Sequence, residues 1–199
     1  MSSFYNLPQG IVKTLVNDQR LNGSVFIPMD RDNVLEKQFT SLGFKTASNC
    51  DEQAVYDDAF WVTNDKKYDY VVCVTIGDRE LADHVCNWGV LIAKKAVIVL
   101  DRVTFLEPVK KRRDLLENHK ISNMIVLNPR PQYRAMGTTK DSVTSCWFTF
   151  KRKQDWADGT HISFAVDWNA CKPDVSSDAI HRIREGNDNP VKGEQQKAG

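Results

Sequence analysis

The chain has 199 residues, 41% of them hydrophobic and 27% charged, with a formal net charge of +1. That composition is ordinary for a soluble globular protein, and the length suits one domain with a single sizeable core. No apolar run approaches the ~20 residues a spanning helix needs, so no membrane segment is predicted.

Taken in order, Met1–Asn22 has a weak helical pattern through Ile11, Val12, Leu15 and Val16, which predicts a lead-in helix at the sheet edge. Gly23 opens SVFIPM, a first strand. DRDN then forms a loop, with Asp32 or Asn33 placed to cap a helix. VLEKQFTSLG sets Leu35, Phe39 and Leu42 on one face, and Gly43 closes it in the usual position after a helix. FKTASNCD is the second strand and its exit. AVYDDAFWVTN reads as a strand, or as a short bridge of loop and strand.

YDYVVCVTI is a buried strand. Asp78 caps RELADHVCNWGVLIAKK, where Leu81, Val85, Trp88 and Ile92 recur at helical spacing. Glu80 near its start and Lys94 and Lys95 at its end suit the helix dipole. AVIVL and MIVL are two short aliphatic runs. Between them lies VKKRRDLLENH, with Val109, Leu115 and Leu116 as an apolar stripe. Strand, loop, helix, strand is the pattern of a crossover unit in a sheet covered on both faces. A long polar loop, PRPQYRAMGTTKDS, comes next. VTSCWFTFK alternates as a strand should, and HISFAVDW is expected to be its antiparallel partner at the sheet edge. From residue 172 onward almost nothing can be buried, so 1–171 is expected to form the domain and 172–199 a disordered polar tail. The order of elements predicts an α/β three-layer sandwich with an antiparallel edge pair.

Five cysteines (Cys50, Cys73, Cys86, Cys146, Cys171) without a CxxC spacing argue against a zinc site and a disulfide framework. The four histidines have no carboxylate or cysteine at ligand or triad spacing, so no metal site and no nucleophilic catalysis are expected from them. MSSFYNLPQG has neither a basic nor an apolar leader region, and the expected location is the cytoplasm.

The charge is uneven. Residues 1–93 carry 8 basic and 13 acidic side chains, whereas residues 94–134 carry 10 basic and 4 acidic, a net of +6. Such a segment is a solvated helix face or a footprint for phosphate or an acidic partner. Tyr133, between Arg130 and Arg134, is the best aromatic-with-basic cluster, a pattern that can stack a base while arginines hold phosphate. If the AVIVL and MIVL strands run the same way, Arg102 shares a rim with Arg130, and Lys110 to Arg113 extend it. Arg102 and Glu107 could also brace their loop as an ion pair.

The run LDRVTFLEP…RRDLL…ISNMIVLNPRPQYRAMGTTKDSVTSCWFTFKR resembles the C-terminal half of phage and bacterial adenine-N6 DNA methyltransferase-like proteins. The resemblance implies a Rossmann-like class I fold and S-adenosylmethionine as cofactor. It also implies that Asp58, together with Asp51, would contact that cofactor if its pocket were kept. Two family landmarks are altered. The acidic-Pro-x-x-Gly-x-Gly turn after the first strand is here Ile27-Pro28-Met29-Asp30-Arg31-Asp32-Asn33, so Arg31 and Asn33 replace the glycines that let the backbone approach the cofactor. The Asn/Asp-Pro-Pro-aromatic tetrad is here Val74-Thr75-Ile76-Gly77, without the acceptor for the adenine amino group or the aromatic that stacks on the base.

Two functions are compatible with these residues. The favoured one is a catalytically degenerate methyltransferase-like protein, without cofactor, that binds nucleic acid or an acidic protein surface through Arg102, Arg130, Tyr133 and Arg134. The alternative is an active S-adenosylmethionine-dependent adenine-N6 methyltransferase with a divergent loop. An interaction domain that keeps only the fold is a third reading.

Overall fold

In a computed structural model of the chain, the described residues are 7–49, 51–107, 113, 115–117, 119–131, 133, 143–151, 159–166 and 168. The predicted tail, the helix start at Val109 and most of the 130–142 loop lie outside them.

Among the described residues, seven strands form one sheet in the order β2-β1-β3-β4-β6-β5-β7. They are β1 (Ser24–Ile27), β2 (Lys45–Ser48), β3 (Tyr68–Val74), β4 (Ala93–Arg102), β5 (Ile121–Leu127), β6 (Ser145–Lys151) and β7 (His161–Ala165). β2, β1, β3 and β4 are mutually parallel. β6 is antiparallel to both β4 and β5, which therefore run the same way and form the predicted crossover with β6 between them.

Alternation along each strand divides the core in two. Val25, Ile27, Tyr70, Val72, Ile98, Leu100 and Trp147 share one face with Ile11, Leu15, Leu35 and Phe39. Phe26, Val71, Cys73, Val97, Val99, Cys146 and Phe148 share the other with Trp61, Leu81 and Val85. Strands buried on both sides read as unbroken apolar runs, which is why AVIVL was legible. The first face is covered by α1 (Gln9–Gln19) and α2 (Val34–Ser41), the second by α4 (Asp58–Val62) and α5 (Arg79–Trp88). The sandwich of three layers is thus present. Among the described residues no helix is long and apolar enough to cross a membrane.

Four expectations are corrected. The stretch AVYDDAFWVTN holds no strand: it forms α3 (Glu52–Tyr56) and α4, two short helices started by Asp51 and Asp57, whose carboxylates accept the free amides of each first turn. The helix begun at Asp78 ends at Trp88, and Lys94 and Lys95 belong to β4 instead. β7 pairs with β5, and in parallel, because period-2 alternation sets which face a strand shows and not which neighbour it takes. Finally, α1 is not at an edge. It crosses to β6, where the Trp147 indole donates to the Ile11 carbonyl at 3.1 Å and Gln19 bonds the Thr149 hydroxyl at 2.7 Å.

Gly23, at φ +110, marks the entry to β1. A Cβ there would overlap the Asp69 carboxylate, which accepts from the Ser24 amide at 2.8 Å and pairs with Lys95 at 3.2 Å.

Candidate functional site

Open parallel sheets build their sites outside the carboxyl ends of the strands. Here that rim is formed by the residues just past Ile27 on β1, Val74 on β3 and Arg102 on β4.

After β1 the chain passes Pro28 and Met29 to Asp30, which is only 3% exposed. Its carboxylate accepts the Leu35 amide at 3.0 Å and the Glu36 amide at 2.7 Å. Asp30, rather than Asp32 or Asn33, therefore satisfies the start of α2. Burial pushes its carboxyl above the ordinary value, and the amides of Glu36, Leu35 and Val34 pull it back down. Its own amide donates to the Asn49 carbonyl at 3.0 Å, tying the exit of β1 to that of β2. Asp32 and Asn33 sit at φ +66 and +53. The turn thus keeps the left-handed backbone that glycine would take cheaply, but in residues that carry side chains.

After β3, Val74 is half-buried and Ile76 buried. The Thr75 amide donates to the Leu100 carbonyl at 3.0 Å, and its hydroxyl donates to the Asp101 carboxylate at 2.9 Å. Asp101 also accepts the Arg102 amide at 2.7 Å. Thr75 is therefore turned toward β4. Gly77 takes φ +86 to complete the turn. Asp78 then caps α5 through the Leu81 amide at 3.0 Å and accepts the Tyr56 hydroxyl at 2.8 Å. Burial first, and this bond second, raise the Tyr56 phenol well above its ordinary value. The Cys73 thiol, fully buried with Asp78, Asp30 and Asp101 acting on it, is also pushed up, so it is an inert core group.

Three carboxylates of this rim, Asp30, Asp78 and Asp101, are thus engaged in holding helix starts and strand exits. No group of three His, Cys, Asp or Glu side chains among the described residues is arranged to hold a metal ion. The amides that the resemblance would offer S-adenosylmethionine at the start of α2 are already bonded to Asp30.

Of the residues singled out in the sequence, Asp51 is exposed and caps α3 through the Gln53 and Ala54 amides. Asp58 is exposed at the start of α4, with its carboxylate 3.7 Å from His84 Nε2. Glu107 lies 3.7 Å from Arg79, so its ion pair reaches α5. Arg102 is half-buried at the end of β4 and Arg130 is exposed past the end of β5. Because β4 and β5 run the same way, these two arginines do share a rim. Tyr133 is 3% exposed and packs in the core cluster of the α1 face, so its ring is not presented for stacking. Arg134 and Lys110 to Arg112 lie outside the described residues. The sequence reading missed Asp30, Tyr56 and Asp101. Asp30 left a trace, since it stands just ahead of the α2 pattern, yet Asp32 and Asn33 stand closer.

No protein-family model matches the chain, and no curated protein matches it. Solved structures do. A modification subunit assigned to a type I restriction enzyme of Vibrio vulnificus YJ016 matches 94% of this chain with a TM-score of 0.52 at 9% identity. A protein of Listeria monocytogenes assigned as a class I S-adenosylmethionine-dependent methyltransferase matches 95% with a TM-score of 0.54 at 10% identity. The chain spans 53% of the length of the first and 73% of the second. Its fold is the Rossmann-like α/β fold of class I methyltransferases. At such identities the likeness is one of fold.

Proposed function

We propose that this chain is a methyltransferase-fold protein that has given up methyl transfer and acts by binding nucleic acid at its basic rim. The observation that carries the first part is the Asp30 carboxylate on the Leu35 and Glu36 amides, because it fills the anion-seeking start of α2 from within the chain. The 74–77 segment adds to this: it has no carboxamide or carboxylate to accept an adenine amino group, and its one hydroxyl donates to Asp101. The second part rests on Arg102 and Arg130, which the parallel run of β4 and β5 sets on one rim; Lys94, Lys95 and Lys120 of the same basic stretch stand at the opposite ends of these strands. Arg134, outside the described residues, is proposed as a further contact on its charge alone. Asp51 and Asp58 serve as helix-start residues in this reading and not as cofactor contacts.

The test has two arms. Calorimetric titration with S-adenosylmethionine should give no heat of binding, and micromolar affinity would restore the active-enzyme alternative. Anisotropy of labelled duplex DNA should report binding that weakens as salt rises. Arg130→Ala with Arg134→Ala should lower affinity at least tenfold, about 1.4 kcal/mol, at unchanged melting temperature. Tyr133 is left intact because removing it would open the core. Undiminished binding by the double variant would move the interface elsewhere.

A further inference from the structure

Among the described residues β7 is the last strand of the sheet, and its sequence is unusual for such a place. Natural edges are protected by lysine, other charges or proline, which repel an added strand. The opposite edge follows this rule, since β2 begins with exposed Lys45. Residues 161–166, HISFAV, contain no Lys, Arg, Asp, Glu or Pro. Ile162, Phe164 and Val166 alternate along one side and are 52%, 66% and 59% exposed. They lie on the same face as Met124 and Val126, their half-buried neighbours in β5.

The backbone gives the register. In a parallel pair, alternate residues turn both of their peptide groups toward the neighbour. The Ala165 carbonyl accepts the Asn128 amide, so Ala165, Ser163 and His161 face β5. Ile162 and Phe164 therefore turn their N–H and C=O groups outward, to the edge. An identical strand laid antiparallel and centred on Ser163 would set Ile162 opposite Phe164 of the second copy, and Phe164 opposite its Ile162. Both are hydrogen-bonded pairs, and each joins an aromatic to a β-branched side chain, a favourable cross-strand combination. The two Ser163 residues would meet on the axis at a non-hydrogen-bonded position, where side chains come closest. Among the described residues Ser163 Oγ, itself buried, has no hydrogen-bond partner. One register thus accounts for the outward peptide groups and the apolar row, and no Lys, Arg, Asp or Glu on the strand opposes it.

We propose that β7 is a self-association edge, through which two copies of this chain pair antiparallel about a two-fold axis at Ser163. A standard interface covers ~800 Å² on each partner. A five-residue strand pair covers less, so the dimer is concentration-dependent rather than obligate.

Sedimentation of the full chain over a concentration series should show mass rising from one chain to two. Phe164→Lys should raise the dissociation constant at least tenfold, with an unchanged circular dichroism spectrum. The register is read separately in a Cys50→Ser, Cys171→Ser background. Ser163→Cys should form an intermolecular disulfide on mild oxidation, since directly opposed residues lie within its reach. Ile162→Cys should not, because its own copy lies a diagonal away. A chain that stays monomeric through the series, a Phe164→Lys variant that dimerises as the parent does, or equal cross-linking at 162 and 163 would each overturn the proposal.

Discussion

The Tyr56 hydroxyl donates to Asp78 across 2.8 Å, and this bond joins α3 to the residue that starts α5. It links the segment carrying Asp51 and Asp58 to the turn at 74–77. Tyr56→Phe should cost about 1 kcal/mol in urea unfolding, the net worth of one such bond. Asp78→Ala should cost more, about 1–2 kcal/mol for the cap alone, with the Tyr56 hydroxyl left unpaired besides. The double variant should be less destabilised than the sum of the two, and strict additivity would show that the bond is not formed in solution.

His84 predicts a pH dependence. Its ring lies among Tyr56, Trp61 and Trp88, with centroids 5.8, 6.3 and 6.2 Å away, and its Nε2 is buried. Burial lowers its pKa below 6.5, against the pull of Asp58 and Glu80. The unfolded chain therefore takes up this proton first as pH falls. The stability held above pH 6.5 is lost as pH drops through the folded value. His119, also lowered by burial, acts in the same direction. His84→Phe should flatten part of the fall in melting temperature between pH 7 and 5, and an identical pH profile would assign the fall to other groups.

Asp30 works in the opposite direction. Its raised carboxyl pKa means the folded chain holds that proton longer, so its contribution is largest below pH 3.8 and falls as pH rises through the folded value. Its oxygens accept the amides that begin α2. Asp30→Ala should cost about 1–2 kcal/mol, whereas Asp30→Asn, which keeps one acceptor oxygen, should cost less. Equal losses would mean that the charge, and not the hydrogen bonds, holds the helix start.

Installing Asn-Pro-Pro-Phe at 74–77 should not create methyl transfer to adenine-containing DNA. Proline at 75 removes both the amide bond to Leu100 and the hydroxyl bond to Asp101, and phenylalanine at 77 must take φ +86. The variant should melt below the parent and transfer no label from S-adenosylmethionine. Transfer above background would show that the Asp30 turn admits the cofactor.

The sequence showed the central strands plainly, because AVIVL and the VVCV of YDYVVCV are apolar at every position, as burial on both faces demands. The Asp78 cap was equally plain, standing just before a strongly amphipathic run. α3 and α4 were not legible, since each is five residues long and shows no helical period. Their signal is chemical: Asp51 and Asp57 each precede a turn whose amides they accept. The burial of Tyr133 was also hidden. Its arginine neighbours suggested a surface cluster, but adjacent residues can point opposite ways. Likewise, no local pattern could reveal that Thr75 and Asp101, 26 positions apart, satisfy each other.

The place of β6 has a consequence for biosynthesis. It fills the gap between β4 and β5, yet the ribosome makes it after both. Its contacts with α1 close loops of 136 and 130 residues. Until Ser145–Lys151 emerges, the edge of β4 along Ala96–Leu100 stays open beside an aliphatic run, and α1 has no tryptophan to hold it. An exposed apolar edge of that kind is where nascent chains stick to one another. Elongation across residues 103–144 is therefore the interval in which a chaperone would compete for this chain.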